Sequence, residues 1–244
     1  MITGAAPTRR RVLDLRGKVP VTLLSRWQAA RLASAVLLTL SGAAVPLLAQ
    51  TSKHQKQYQD RVLGIQALSG QIVAVVPITF IGADSSLKGD SALALYWNRV
   101  AGLRHFDSLF GDYLSSVLLE TKWVLPPELR KLNVRSSGYF PDPDLMGQGA
   151  MRNTNIRKKV PEPLESKLRA ISGVTNARVV IIPAGVVFTR DSTGMLAAAI
   201  SVVLVDPRLG DIKYRTITTG KGVSADAALR AGFAIMVPPE SLPE

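Results

Sequence analysis

Residues 32–52 carry no charged side chain, and the stretch before them is strongly basic, with Arg9, Arg10, Arg11, Arg16, Lys18, Arg26 and Arg31. A basic flank resists translocation while a leucine-rich apolar run enters the bilayer. The chain is therefore expected to keep its start in the cytoplasm and send everything after residue 52 across the inner membrane. Residues 32–49 (LASAVLLTLSGAAVPLLA) have the plan of a signal peptide: an apolar centre, then Gly42, Ala43, Ala44 and the helix-weakening Pro46, ending in Ala49 before a polar stretch. A spanning helix needs about 20 apolar residues, and this run only just approaches that length. Cutting after Ala49 places Leu47 three residues back, whereas cutting after Ala44 places the small Gly42 there; both sites remain open. The basic leader, residues 1–31, is long for a signal peptide, so either the start is set too early or residues 1–27 are a cytoplasmic tail on a retained membrane helix. No Cys follows the run, which excludes a lipid-anchored lipoprotein.

The targeting segment also explains much of the charge. Of 30 basic and 18 acidic side chains, 7 and 1 fall in the first 50 residues, which leaves 23 and 17 in the rest. Half of the +12 net charge is thus targeting. The +6 body suits a soluble domain, or one drawn to anionic lipid or glycan, and makes no case for nucleic acid. With no Cys there are neither disulfides nor thiolate metal sites, and a body of this size can bury a core without them.

Residues 50–70 are Gln- and Lys-rich and read as a linker, with one folded domain over residues 71–244. Residues 71–81 (QIVAVVPITFI) are apolar on both alternations, as in a central strand covered on both faces. Residues 107–121 predict a helix: Phe106, Leu109, Phe110, Tyr113, Leu114, Val117 and Leu118 recur at three and four residues, with Asp107 as its cap. Pro126 and Pro127 open a short helix, and a Gly/Pro/Asp-rich loop follows (SSGYFPDPDLMGQGAMRNTN), long enough to require a purpose or hidden local helix. A helix over residues 161–171 is expected to stop at Gly173. Residues 177–188 predict a second strand, in which Pro183 marks a bulge or an exposed edge. Residues 196–205 and 212–219 flank DPRLGD and predict an antiparallel hairpin whose second strand, with one wet face, is an edge. Ser224 caps a last helix to about Met236. The order implies an α/β fold: one domain with a mixed sheet of four to five strands packed by helices.

The opening VAVVPI, the helix FDSLFGDYLSSVLLE, the passage LRAISGVTNARVVIIPAGV, the hairpin VVLVDPRLGDIKYRTIT and the closing SADAALRAGF together resemble the amino-terminal domain of TolB and its relatives, the LpoB-type activators of penicillin-binding proteins and the curli-secretion protein CsgG. The likeness spans about residues 71–237. Gly82, Ala83 and Asp84 replace the usual aromatic after the first strand's proline, and no β-propeller repeats follow, so the chain departs from TolB itself. The resemblance implies a non-enzymatic domain that docks onto an envelope partner.

Residue chemistry points the same way. The histidines are His54, in the linker, and His105, expected as a polar residue at a helix entrance; no HExxH or GxSxG spacing is present. Asp142 and Asp144 could offer two carboxylates to calcium, but the ordered ligand series of a calcium loop is missing, and they read as turn residues. The GKG of residues 220–222 lacks the rest of a phosphate loop. No catalytic, cofactor-binding or metal-binding residue is therefore assigned. Two features offer binding surfaces: the basic cluster Arg152, Arg157, Lys158 and Lys159, suited to anionic lipid or an acidic partner, and the aromatic pair Tyr139 and Phe140, expected to pack inward. The expectation is an exported periplasmic or outer-envelope protein that binds another envelope protein through its sheet edge or long loop. A membrane-anchored accessory subunit is the alternative. An enzyme working with carboxylates alone on a glycan is a distant third, requiring two carboxyl groups about 5–9.5 Å apart in one cleft.

Overall fold

A computed structural model describes residues 68–136 and 138–239. The leader, the apolar run and the linker as far as residue 67, His54 included, lie outside the described residues. Among the described residues no helix is long and apolar enough to cross a membrane.

The fold is the expected mixed α/β domain. Its strands are β1 (Ile72–Val75), β2 (Ile81–Ala83), β3 (Lys122–Val124), β4 (Val179–Arg190), β5 (Leu196–Asp206) and β6 (Asp211–Gly222). The helices are α1 (Ala94–Trp97), α2 (Arg99–Val117), α3 (Pro126–Arg135), α4 (Leu164–Thr175) and α5 (Ala225–Met236). All six strands form one sheet in the order β3-β1-β4-β5-β6, with β2 also beside β4. β1 runs parallel to β3 and β4, β2 runs parallel to β4, and β4, β5 and β6 are antiparallel.

Two apolar layers sandwich the sheet. On one side α2 and α5 bury Phe106, Phe110, Leu114, Leu229 and Phe233 against Val73, Val75 and the even-numbered residues of β5. The Phe106, Phe110 and Tyr113 rings lie 5.0–5.7 Å from the Phe233 ring, in tilted and edge-on contacts that aromatic quadrupoles favour. On the other side α3, α4 and the long connection after α3 bury Leu129, Phe140, Met146, Met151, Leu164, Leu168 and Ile171 against Ala74, Val180 and Val203. The β5–β6 hairpin forms as expected, and β6 ends the strand order as an edge.

Three expectations are corrected, and the alternatives left open at Pro183 are resolved in favour of the bulge. The first strand is not continuous over 71–81: Pro77 has no N–H for the ladder, and the Ile78 N–H donates to the Asp107 carboxylate, so the chain leaves the sheet after Val75 and returns as β2. The main helix starts at Arg99 rather than 107, because the Asn98 side chain accepts from the Ala101 N–H, and Asp107 lies inside the helix. Gly173 does not end α4; the helix runs to Thr175 and closes on Asn176 in the left-handed region (φ 58°), a conformation Asn tolerates. Pro183 marks a bulge, with the β4–β5 register shifting between Pro183 and Gly185, but β4 is central and not an edge. The long connection hides 3₁₀ turns at Pro143–Leu145 and Gln148–Arg152.

Candidate functional site

The connections leaving β1 and β3 set up a crevice. From β1 the chain passes into α2 on one face of the sheet, and from the adjacent β3 it passes toward α4 on the other. Such a switch opens a gap at the carboxyl ends of the strands, where open α/β sheets receive ligands. Here the gap is floored by Pro77–Phe80, the stretch that has left the sheet. Its backbone is clamped from both layers: Ile78 N–H donates to Asp107 Oδ1 at 2.9 Å, and the buried Gln148 amide donates to the Pro77 carbonyl.

Asp107 is the pivot. Its side chain is only 2% exposed, and its second oxygen accepts from Arg130 Nη2 at 2.6 Å. Arg130 also forks onto Asp144, with Nε at 2.9 and 3.1 Å from the two oxygens and Nη2 at 2.7 Å. This planar fork is the geometry in which guanidinium binds carboxylate best. Burial pushes the Asp107 carboxyl up to about 6, outweighing the Ile78 N–H and Arg130, which favour its charged form. For Arg130 burial acts downward, but the hydrogen bonds it donates to Asp144 and Asp107 reverse that and hold it charged.

Beyond this clamp lie two adjoining clefts. One, of about 230 Å³, is lined by Ile78, Arg99, Val100, Arg104, Arg130 and Asp144. The other, of about 460 Å³, is lined by Phe80, Trp97 and Arg152 among others, and shares Thr79, Arg99 and Leu103 with the first. Arg152 lies over the Phe80 ring, its Cζ 4.2 Å from the centroid, a cation–π contact. Among the described residues Arg99 reaches only the Thr79 carbonyl, at 3.5 Å.

The residues singled out from sequence are dispersed. His105 is not at a helix entrance but inside α2, where its Nε2 meets Asp226 Oδ2 at 2.9 Å; Tyr96 Oη donates to Asp226 Oδ1 at 2.6 Å. That cluster ties α1, α2 and α5 together, and among the described residues no serine or threonine hydroxyl hydrogen-bonds to His105. Asp142 caps a 3₁₀ turn by accepting from the Asp144 N–H at 2.9 Å, while Asp144 is held by Arg130. The two glycines of GKG serve packing: a Cβ on Gly220 would strike the backbone of Ala228 and Gly232, and one on Gly222 would lie 2.6 Å from Ala228 N, so α5 sits directly on β6. The basic cluster lies at the surface, with two of its four members engaged by neighbours. Lys159 bonds Asp211 at 2.9 Å and the Leu209 carbonyl at 2.7 Å, Arg152 turns to Phe80, and Arg157 and Lys158 face solvent. The aromatic pair splits: Phe140 is 4% exposed and packs inward as expected, whereas Tyr139 is 93% exposed and does not.

Sequence reasoning missed Arg99, Arg104 and Arg130, which stand far from the densest basic cluster. The available signal was an α2 start carrying arginines and no acid, where a helix ordinarily favours acids.

The fold and site define a single mixed α/β domain with an arginine-lined crevice at the carboxyl ends of its parallel strands. Neither a family model nor a curated protein matches the chain. Among solved structures it is similar to the LpoB C-terminal domain from Salmonella enterica, with 12% identity over 68% of this chain and 96% of that one and a TM-score of 0.37. It is also similar to the LpoB C-terminal domain from Escherichia coli, with 13% identity over 68% and 93% and a TM-score of 0.33. The lipoprotein GNA1162 from Neisseria meningitidis follows, with 10% identity over 64% and 83% and a TM-score of 0.31.

Proposed function

We propose that residues 71–244 are a non-catalytic binding domain, exported to the periplasm or outer envelope by the segment at 32–49, whose work is to contact another envelope protein. The observation that carries this reading is the make-up of the crevice. Its ionisable groups are arginines, which stay charged throughout the physiological range, the Tyr96 phenol, which burial and its bond to Asp226 hold protonated, and one carboxylate, Asp144, locked to Arg130. Such a site can hold an acceptor-rich partner, but it offers little that could take up and release a proton in a reaction cycle. The basic leader and apolar run supply the envelope location, and the quoted resemblance to TolB-like domains supports docking.

Crosslinking and pull-down of the full chain from native membranes, with size-exclusion of the product, tests the reading. A reproducible complex with an envelope protein is expected, and a monomer that captures nothing would count against it. The long basic leader favours a second reading, in which residues 32–49 are kept as an inner-membrane anchor with the leader on cytoplasmic anionic headgroups. N-terminal sequencing of the native protein separates the two: a start at Val45 or Gln50 means export with cleavage, and an intact leader means an anchored subunit.

A further inference from the structure

We infer that the crevice takes an extended, acidic segment of the partner protein, with its carboxylates on Arg99 and Arg104 and an aliphatic side chain against Val100 and Leu103; this rests on the binding-domain reading above. Charge comes first. Arg99, Arg104, Arg130 and Arg152 line the two clefts, and the lining acid, Asp144, is taken by Arg130. Among the described residues neither Arg99 nor Arg104 has a carboxylate partner. Both stand in the first two turns of a nineteen-residue helix whose first turn contains no acid. The positive end of the helix dipole disfavours Arg99 in the first turn, and an incoming anion would relieve it while pairing with Arg104.

The distribution of these groups selects the kind of anion. Arg104 and Arg130 line one cleft, Arg152 lines the other, and Arg99 is shared, so the positive charge is spread along a groove rather than focused on one point. Carboxylates spaced along a chain match that arrangement better than a single phosphate does. The walls between are apolar and open, with Val100 64% and Trp97 46% exposed. A sugar needs acceptors for its hydroxyls as well as donors. Here the donors are chiefly guanidiniums, Asp144 is already occupied, the Tyr96 hydroxyl is spent on Asp226 and the Trp97 indole N–H on the Asp90 carbonyl at 3.2 Å, which leaves Thr79 as the lining hydroxyl. A lipid surface requires a face it can lie against, whereas these arginines border concave clefts. Arginine and tryptophan around a small apolar centre are also the residues that dominate protein–protein contacts.

The test uses the purified full chain and fluorescence anisotropy with a labelled octapeptide alternating Glu and Leu, beside the matching Gln–Leu octapeptide, heparin and phosphatidylglycerol vesicles. Wild type is expected to bind the Glu–Leu peptide, more weakly as salt rises, and to prefer it at least tenfold over the Gln–Leu peptide. Arg99→Glu with Arg104→Glu is expected to lose at least tenfold in affinity; Arg99→Gln with Arg104→Gln, with an unchanged circular dichroism spectrum, guards against a folding artefact. Equal binding by wild type and both variants overturns the inference, as does arginine-dependent binding of heparin or vesicles without binding of the peptide. If the variants still capture the envelope partner from membranes while the peptide fails, the acidic-segment inference falls and the adaptor reading stands. If wild type captures no partner, the adaptor reading falls.

Discussion

Replacing Asp107 by Asn or by Ala should have different consequences, and the difference follows from what each oxygen does. Asp107 Oδ1 satisfies the Ile78 N–H at 2.9 Å, and Oδ2 faces Arg130 at 2.6 Å. Asp107→Ala removes both acceptors. An orphaned buried N–H costs about 1–3 kcal/mol, and Arg130 keeps only Asp144, so a total loss of about 2–4 kcal/mol is expected. Asp107→Asn retains an acceptor for Ile78. It gives up the attraction to Arg130 and sets its amide NH2 against the Arg130 N–H, which the release of a buried charge only partly offsets, so the change at pH 7 should be about 1–2 kcal/mol and smaller than for Ala. The pH dependence supplies the sign. Burial raises the folded carboxyl from 3.8 to about 6, so between those values the folded chain holds a proton that the unfolded chain has lost. Stability from this group is therefore greatest below pH 3.8 and declines as pH rises to about 6, by at most about 3 kcal/mol. Urea unfolding at pH 4, 5, 6 and 7 measures this as wild type minus Asp107→Asn, which cancels the other carboxylates. If Asn costs as much as Ala, or the difference rises with pH, the assignment of a desolvated Asp107 is wrong.

Three further outcomes are expected. Gly220→Ala would drive a methyl into the backbone of α5, which cannot yield as a side chain can, and should lower the unfolding free energy by about 3 kcal/mol; a variant as stable as wild type would show that α5 does not rest on β6. Phe140→Ala should cost about 3–5 kcal/mol and Tyr139→Ala almost nothing in thermal melts, since only the former fills the core; equal effects would contradict the split pair. The Asp226 carboxyl is pushed up by burial, but hydrogen bonds from Tyr96 and His105 more than offset this and hold it below 3.8. The stability it contributes is therefore present above pH 3.8 and is lost as pH falls through its lower folded value, and Asp226→Asn should flatten that acid limb of the unfolding curve.

What could be read from sequence was what local pattern encodes. The stripe from Phe106 to Leu118 placed its helix on the core, DPRLGD paired β5 with β6, and Ser224 capped α5 through the Ala227 N–H. The strand at 71–81 misled because its apolar run continues past the point where Pro77 and Asp107 draw the backbone from the sheet. Asp107 itself looked like a cap, since an acid before a run of apolar residues is the usual signal, whereas its partner Arg130 is 23 residues away and reached only through the fold. The crevice was illegible for the same reason. Arg99, Arg104, Arg130 and Arg152 belong to three separate elements, whereas of the basic residues adjacent in sequence Arg157 and Lys158 face solvent and Lys159 pairs with Asp211.

A photo-crosslinking side chain placed at Val100 of the full chain, activated in native membranes and compared with one at the exposed Leu209 of the β5–β6 turn, tests the central claim most directly. An adaptor that receives its partner in the crevice should give a discrete adduct with one envelope protein from Val100, weak or absent from Leu209, and lost when Arg99 and Arg104 become Glu. No adduct at Val100, or the same diffuse pattern from both positions, would contradict it.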